Sequence, residues 1–164
     1  MDHTRCYSYF SICSSGDVLP GQGFIAAENS DFEPDYITEK LGIRPYETRK
    51  KGTPRKSFPG LVMKEDNLTY PFSDWCACKQ NEPALDALEQ CLQIVRMLRD
   101  KIPLLQEIKQ DLSVDFAIVV VPEIYIGETP LLGINREIIE FCYLTGTEID
   151  IDMYVYANSN EEGS

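Results

Sequence analysis

The longest regular pattern of apolar residues lies between Glu82 and Ser113. Leucine, isoleucine and valine recur there every three or four residues, the spacing of one face of an amphipathic helix. Pro103 interrupts the pattern, and in a helix interior its ring would clash with the Arg99 carbonyl at a cost of about 3 kcal/mol or more. The pattern therefore predicts a kink, or two helices that meet at Ile102.

Five other segments have the composition of strands. They are residues 5–15 (RCYSYFSICSS), 24–28 (FIAAE), 47–51 (ETRKK), 69–79 (TYPFSDWCACK) and 114–126 (VDFAIVVVPEIYI). The last is apolar almost throughout, which predicts burial on both faces. Trp75 lies in the middle of its segment, and we expect it in the core rather than in an exposed binding platform with Tyr70, Phe72 and Phe58.

Two shorter helices are predicted from their end signals. In NSDFEPDYITEKLGI, Ser30 or Asp31 is placed to cap the helix, Pro34 fits the first turn and Gly42 fits the position just past the end. In GINREIIEFCYLTG, Gly146 is the corresponding stop signal. The side chains expected to face inward are Phe32, Ile37 and Leu41 in the first helix, and Ile134, Ile138, Ile139, Phe141 and Cys142 in the second.

The segment GTEIDIDMYVYA alternates acidic and apolar residues. Glu148, Asp150 and Asp152, called here the acidic stripe, alternate with Ile149, Ile151, Met153 and Val155. This predicts a last strand with its apolar side buried and its acids in solvent. Same-face side chains on one strand are about 6.5 Å apart, too far to hold one metal ion without ligands from elsewhere.

These elements together predict an α+β fold. Apart from the short extra strand considered at residues 24–28, the order is strand, helix, two strands, long helix, strand, helix, strand. This order suits a mixed or antiparallel sheet with helices mainly on one face, a two-layer sandwich related to the ferredoxin-like arrangement. A chain of 164 residues that is 43% hydrophobic fits one domain. We expect a single globular domain over residues 1–157 and a disordered tail over residues 158–164.

The charge is unevenly distributed. The net charge is −12, which disfavours nonspecific binding to nucleic acid or to an anionic membrane. However, seven of the fifteen basic residues lie between Arg44 and Lys64. Within this basic loop, Arg49, Lys51 and Arg55 form a candidate anion site, although the order of a phosphate-binding loop is missing. The simpler interpretation, which we favour, is a flexible turn whose positive charges balance the acidic remainder of the chain.

Candidate catalytic chemistry is sparse. The six cysteines are scattered, and the single histidine, His3, is near the start, so neither a zinc site nor a cysteine–histidine nucleophile is predicted. Glu137 and Glu140 would act with Asp150 only if the last helix crossed the polar face of the last strand. We predict no cofactor or metal, and non-enzymatic function is favoured. The sequence shows neither a secretory signal nor a membrane span, and reduced thiols then predict a cytoplasmic protein.

One family is recognisable in the order of the segments. YFSI, SDFEPDYITEKLGIRP, RKKGTP, FSDW, PALDALEQCLQIV, VDFAIVVVPEI and ETPLLGINREIIEFCYLTGTEIDIDMYVY follow one another as they do in a bacterial family. From about Tyr7 to Tyr156 the chain resembles this family, called domain of unknown function 4279, with an apparent insertion at residues 14–29. The resemblance implies no catalytic residues. Some relatives look like immunity proteins of bacterial toxin systems, which implies a binding function.

Three functions remain open. The first is a non-enzymatic inhibitor of immunity type that binds a basic protein partner, such as a toxin domain, through the acidic stripe or the edge of a strand. The second is a small-anion sensor or enzyme that uses Arg49, Lys51 and Arg55. The third is a homodimer formed through an exposed strand edge.

Overall fold

A computed structural model of the chain describes residues 3–55, 69–125 and 127–157. The elements in chain order are β1 (Arg5–Ser14), β2 (Gly16–Leu19), β3 (Gly23–Ala26), α1 (Pro34–Leu41), β4 (Glu47–Arg49), β5 (Asp74–Gln80), α2 (Ala87–Leu98), α3 (Ile102–Asp111), β6 (Val114–Tyr125), α4 (Arg136–Thr145), β7 (Thr147–Ile151) and β8 (Tyr154–Tyr156).

The strands form a mixed sheet in the order β4-β5-β1-β6-β7, in which β8 also pairs with β6. β4 is antiparallel to β5, whereas β7 and β8 are both parallel to β6. β2 and β3 form a separate antiparallel hairpin within the apparent insertion, residues 14–29. The predicted α+β class with a mixed sheet is confirmed.

Contacts within the chain divide it into two units. The first comprises the described parts of residues 1–10, 78–102 and 116–164, and the second those of residues 11–77 and 103–115. The prediction of a single domain over residues 1–157 stays a prediction, and the predicted tail, residues 158–164, lies outside the described residues.

Aromatic rings form the core of the first unit. Phe10 is fully buried, and its ring centroid lies 5.8 Å from that of Phe116 and 6.4 Å from that of Phe141. α2 adds Ile94 and Leu98, both fully buried. Edge-on and tilted aromatic contacts at these distances stabilise a core beyond the area they bury.

Trp75 is the centre of the second unit. It is fully buried, and its indole Nε1–H donates to Thr38 Oγ1 at 3.0 Å, so the prediction of a core tryptophan is confirmed. Ile37 and Leu41 of α1 are fully buried in the same unit, as expected from their spacing. Phe58 lies outside the described residues.

Proline and glycine set the helix ends where the sequence predicted. α2 ends at Leu98, a single turn of 3₁₀ helix follows, and α3 begins at Ile102, one residue before Pro103. Gly42 and Gly146 end α1 and α4 in the left-handed conformation that glycine adopts without steric cost.

Other local predictions were wrong. Glu33, not Ser30 or Asp31, precedes α1, and no side chain caps this helix. The Asp31 carboxylate instead accepts hydrogen bonds from Lys50 and Ser73. In α4, Ile139 is 57% exposed rather than inward-facing. β6 buries one face, whereas Ala117 and other residues of the opposite face are only half-buried.

Candidate functional site

The acidic stripe occupies the open side of β7 and the residue that follows it. Glu148, Asp150 and Asp152 are all exposed. Glu148 lies opposite Ala117 of β6, and Asp150 lies opposite Val119. Side chains alternate between the two faces of a strand, so all three acids lie on the face of β6 that is only half-buried. The prediction that these acids face solvent is confirmed.

Most of the apolar side of the same segment is exposed, contrary to the sequence-based prediction, although Ile149 is half-buried. Ile151 and Met153 are each 48% exposed, and Val155 is 68% exposed. The physical reason is length, because the ten-residue helix α4 is about 15 Å long whereas the segment from Thr147 to Tyr156 spans about 30 Å. α4 is therefore too short to cover the far end of this segment.

A break between β7 and β8 has a local cause in β6. The difference in residue number between paired residues is the same for β6 with β7 as for β6 with β8. β8 therefore continues the register of β7 along β6. Asp152 N–H donates to the Val120 carbonyl at 2.9 Å. In a parallel ladder the Asp152 carbonyl would in turn accept from the N–H of residue 122, but residue 122 is a proline and has no N–H to donate. The ladder is therefore interrupted at residues 152 and 153.

Tyrosines extend the acidic stripe into a larger surface. The rings of Tyr125 and Tyr156 stack with centroids 4.8 Å apart, and the Tyr154 hydroxyl donates to Asp152 Oδ2 at 3.1 Å. Burial raises the pKa of Tyr7 above its ordinary value, and the nearby Glu123 and Asp152 carboxylates raise it further. Tyr7 of β1 thus lies beside the end of the acidic stripe.

Two cations lie around Tyr7 at this end of the sheet. The Lys79 ammonium is 4.7 Å from the centre of the Tyr7 ring, and Arg5 forms an ion pair with Glu123. The Lys79 contact is a cation–π interaction with the Tyr7 ring, whereas Arg5 and Glu123 influence Tyr7 through their charges. We call the surface made by Tyr7, Tyr154, Tyr156 and the acidic stripe the acidic–tyrosine face.

Sequence reasoning missed the tyrosines of this face. The available signal was their spacing, since Tyr7 and Tyr9, like Tyr154 and Tyr156, are two residues apart and so lie on one side of their strands. Tyrosine and arginine are enriched at protein interfaces because they combine a large contact area with a polar end.

The basic loop is less open to a ligand than its sequence suggested. Arg49 Nη1 donates to Asp74 Oδ2 at 2.8 Å, and its Nη2 donates to Glu47 Oε1 at 3.0 Å. Arg55 Nε donates to the Thr69 carbonyl at 3.1 Å, and its guanidinium lies 6.0 Å from the Tyr70 ring centre. Lys51 is exposed. Lys56 and Lys64 lie outside the described residues.

Among the described residues of the second unit, Asp74 is the one buried carboxylate. Burial raises the pKa of its carboxyl, and the attraction of Arg49 offsets this only in part. Its Oδ1 atom is buried without a hydrogen-bond partner among the described residues. The Arg49–Asp74 ion pair connects β4 to β5, so the Arg49 guanidinium is already bonded within the protein.

The paired glutamates of α4 line a cavity of about 540 Å³ between α2 and α4. Glu137 forms ion pairs with Arg96, at 3.5 Å, and with Arg99. Glu140 lines the same cavity, together with apolar residues that include Phe141. Glu137 therefore has arginine partners rather than a second carboxylate with which to share a proton.

Metal and thiol chemistry find little support in these residues. In the three described ranges, no group of three or more histidine, cysteine or acidic side chains is placed to hold a metal ion. All six cysteines are unpaired thiols. Burial raises the pKa of Cys76 to about 12, and that of Cys13 to about 11, which makes these thiols poor nucleophiles.

Comparisons with known proteins identify a family but no function. A family model described as "Domain of unknown function (DUF4279)" matches residues 4–156, so the chain belongs to this family. No curated protein and no solved structure matches the chain. Among the described residues, no helix is both long and apolar enough to cross a membrane.

Proposed function

We propose that this member of the DUF4279 family is a non-enzymatic binding protein of the immunity or inhibitor type, which binds a basic protein partner in the cytoplasm. The acidic–tyrosine face is the proposed contact surface. The six reduced cysteines support the choice of compartment, because thiols persist where the environment is reducing.

One observation carries the proposal. Glu148, Asp150 and Asp152 are exposed in a row, and in the described part of the chain no lysine or arginine lies within ion-pair distance of them. Elsewhere, carboxylates such as Asp31 and Glu137 have basic partners. These exposed carboxylates lie beside tyrosines and have no cationic partner among the described residues. Such a surface suits a protein partner that supplies lysine or arginine side chains.

The charges are expected to act mainly on association. A net charge of −12 attracts a basic partner over a distance and speeds encounter. At physiological ionic strength the Debye length is about 8 Å, so added salt weakens this attraction. The tyrosines would supply the desolvated contact area that slows dissociation.

An anion sensor or enzyme based on Arg49, Lys51 and Arg55 remains the alternative proposal. It has less support, because the Arg49 guanidinium is engaged by Asp74 and Glu47. Such a site would raise the melting temperature in the presence of a small anion, and charge reversal at Lys51 and Arg55 would abolish that shift.

The test is a tagged pull-down from native lysate at low and high salt, with the bound proteins identified by mass spectrometry. The variant Asp150→Asn/Asp152→Asn is compared with Asp17→Asn/Asp100→Asn, which removes the same charge from exposed residues elsewhere. We expect one stoichiometric basic partner with the wild type and the control, released by high salt and lost with the stripe variant.

Equal capture by all three proteins would show that the acidic stripe is the wrong surface. Capture of no protein at low salt would reject the proposed function, and small anions would then be screened against the basic loop.

A further inference from the structure

We propose that the outer edge of β7 and β8 binds an extended segment of the partner as an additional strand, and that this segment alternates cationic with apolar side chains. The inference rests on the proposed function and adds the mode of binding. The surface concerned runs from Thr147 to Tyr156.

The edge is available for pairing. β7 is the last strand in the order of the sheet, and β8 continues it along β6. Among the strands that the structure describes, none pairs with the outer side of either. An exposed edge presents a row of backbone donors and acceptors to another chain.

The register shows which backbone groups point outward. Because Asp152 N–H bonds to Val120, residues of the same parity, Asp150 and Glu148, direct their backbone groups toward β6. Ile149 and Ile151 therefore direct their N–H and C=O groups away from β6. These groups are the ones that an added strand would bond.

The side chains of the edge specify the sequence of the added strand. One face carries Glu148, Asp150 and Asp152, and the other carries Ile151, Met153 and Val155, which are about half-exposed or more. Same-face positions recur about every 6.5 Å in both strands, so lysine or arginine at every second position would meet the acids in register. Apolar residues at the positions between them would cover the exposed side chains of Ile151, Met153 and Val155.

The same charges argue against a second copy as the occupant. If two copies of β7 paired edge to edge with matching faces, each acidic residue would lie opposite or diagonal to acids of the other copy, which is destabilising. A shift of one residue would place acids beside the apolar residues Ile149 and Ile151 instead. The charges of this edge therefore disfavour pairing with a second copy of the chain and are complementary to those of a basic strand.

The first experiment measures binding of a synthetic nine-residue peptide that alternates lysine and valine, by isothermal titration calorimetry on the wild-type protein. A peptide of the same composition with its lysines in one block controls for charge alone. Two further peptides carry N-methyl groups on alternate amides, one set on each edge of the strand. We expect the block peptide and only one methylated peptide to bind at least about ten-fold more weakly.

The second experiment alters the protein edge. Ile151→Pro removes an outward N–H without removing a bond to β6, and Ile151→Ala is its matched control, because it shortens the side chain and keeps the N–H. We expect the proline variant to bind the alternating peptide at least about ten-fold more weakly than the alanine variant. Circular dichroism checks that both variants keep their strands.

The outcomes separate this mode from the proposed function. Equal binding of the alternating and block peptides, or of the two methylated peptides, would overturn strand addition. If the captured partner is lost with Asp150→Asn/Asp152→Asn but binds Ile151→Pro and Ile151→Ala equally, the proposed function stands and strand addition is wrong.

Discussion

Gln90 provides the sharpest test of the packing that supports the sheet. This side chain is fully buried on α2 and forms hydrogen bonds to three groups. Its Oε1 accepts from Ser8 Oγ at 2.8 Å, while its Nε2 donates to the Cys6 carbonyl at 2.8 Å and to the Pro83 carbonyl at 2.9 Å. Gln90 therefore connects α2 to β1, the strand that carries Tyr7.

The cost of Gln90→Ala follows from the groups that it leaves behind. Each buried polar group that loses its partner costs roughly 1–3 kcal/mol, and three groups lose one here. Rotation of the Ser8 hydroxyl and entry of water relieve part of this, so we expect a loss of about 3–5 kcal/mol. Urea denaturation at pH 7 measures it.

Gln90→Glu adds a pH dependence with a definite sign. Two carbonyl oxygens face the site, so the buried carboxyl holds its proton more tightly in the folded state than in the unfolded state, where its pKa is about 4.3. The free energy of unfolding of the variant, relative to that of the wild type, is therefore highest at low pH. It falls as the pH rises from the pKa of the unfolded state toward the pKa of the folded state. We expect the gap between variant and wild type to be smaller at pH 4.5 than at pH 7.5.

The control is Gln93→Ala on the same helix. Gln93 is half-buried, and its Nε2 donates to Glu89 one turn earlier at 2.7 Å, a surface contact worth less than about 0.5 kcal/mol. If Gln90→Ala cost no more than this control, or if Gln90→Glu showed the same gap at both pH values, the bonding described for Gln90 would be wrong.

Three further predictions concern the second unit. Gly16→Ala would bring a Cβ into steric clash with the Ile25 carbonyl oxygen, so we expect faster proteolytic cleavage within the β2–β3 hairpin, and an unchanged rate would contradict this. The pKa of Cys76 is raised to about 12 by burial, so a disulfide reagent at pH 8 should label this thiol only after unfolding, and rapid labelling of the native protein would refute it. Arg49→Gln leaves Asp74 buried without its cation, which should cost about 2–3 kcal/mol in urea denaturation at pH 7. Because the Asp74 pKa is already raised and rises further in this variant, the cost should shrink as the pH falls, and a constant cost would contradict the account.

The sequence predicted features that depend on local backbone chemistry. Pro103 alone indicates where the long helical pattern divides, and Gly42 and Gly146 mark helix ends, because each effect arises within one turn of the chain. The α+β class followed from the order of periodic segments, and the burial of Trp75 from its position within a strand.

What the sequence did not predict depends on distant partners. The Asp31 carboxylate does not cap α1, because Lys50 and Ser73 engage it from later segments. The exposure of Met153 depends on where α4 ends relative to a longer strand, and the alternation of apolar residues predicts a face without showing what covers it. The proximity of Tyr7 to Asp152, which raises the tyrosine pKa, brings together opposite ends of the chain.

The central claim is that the acidic–tyrosine face attracts and holds a basic protein partner. The most direct measurement is the association rate of the captured partner as a function of ionic strength, for the wild type and for Asp150→Asn/Asp152→Asn. We predict a rate that falls steeply with salt for the wild type, and that is about ten-fold lower with a shallower salt dependence for the variant. Identical rates and identical salt dependence for the two proteins would contradict the claim.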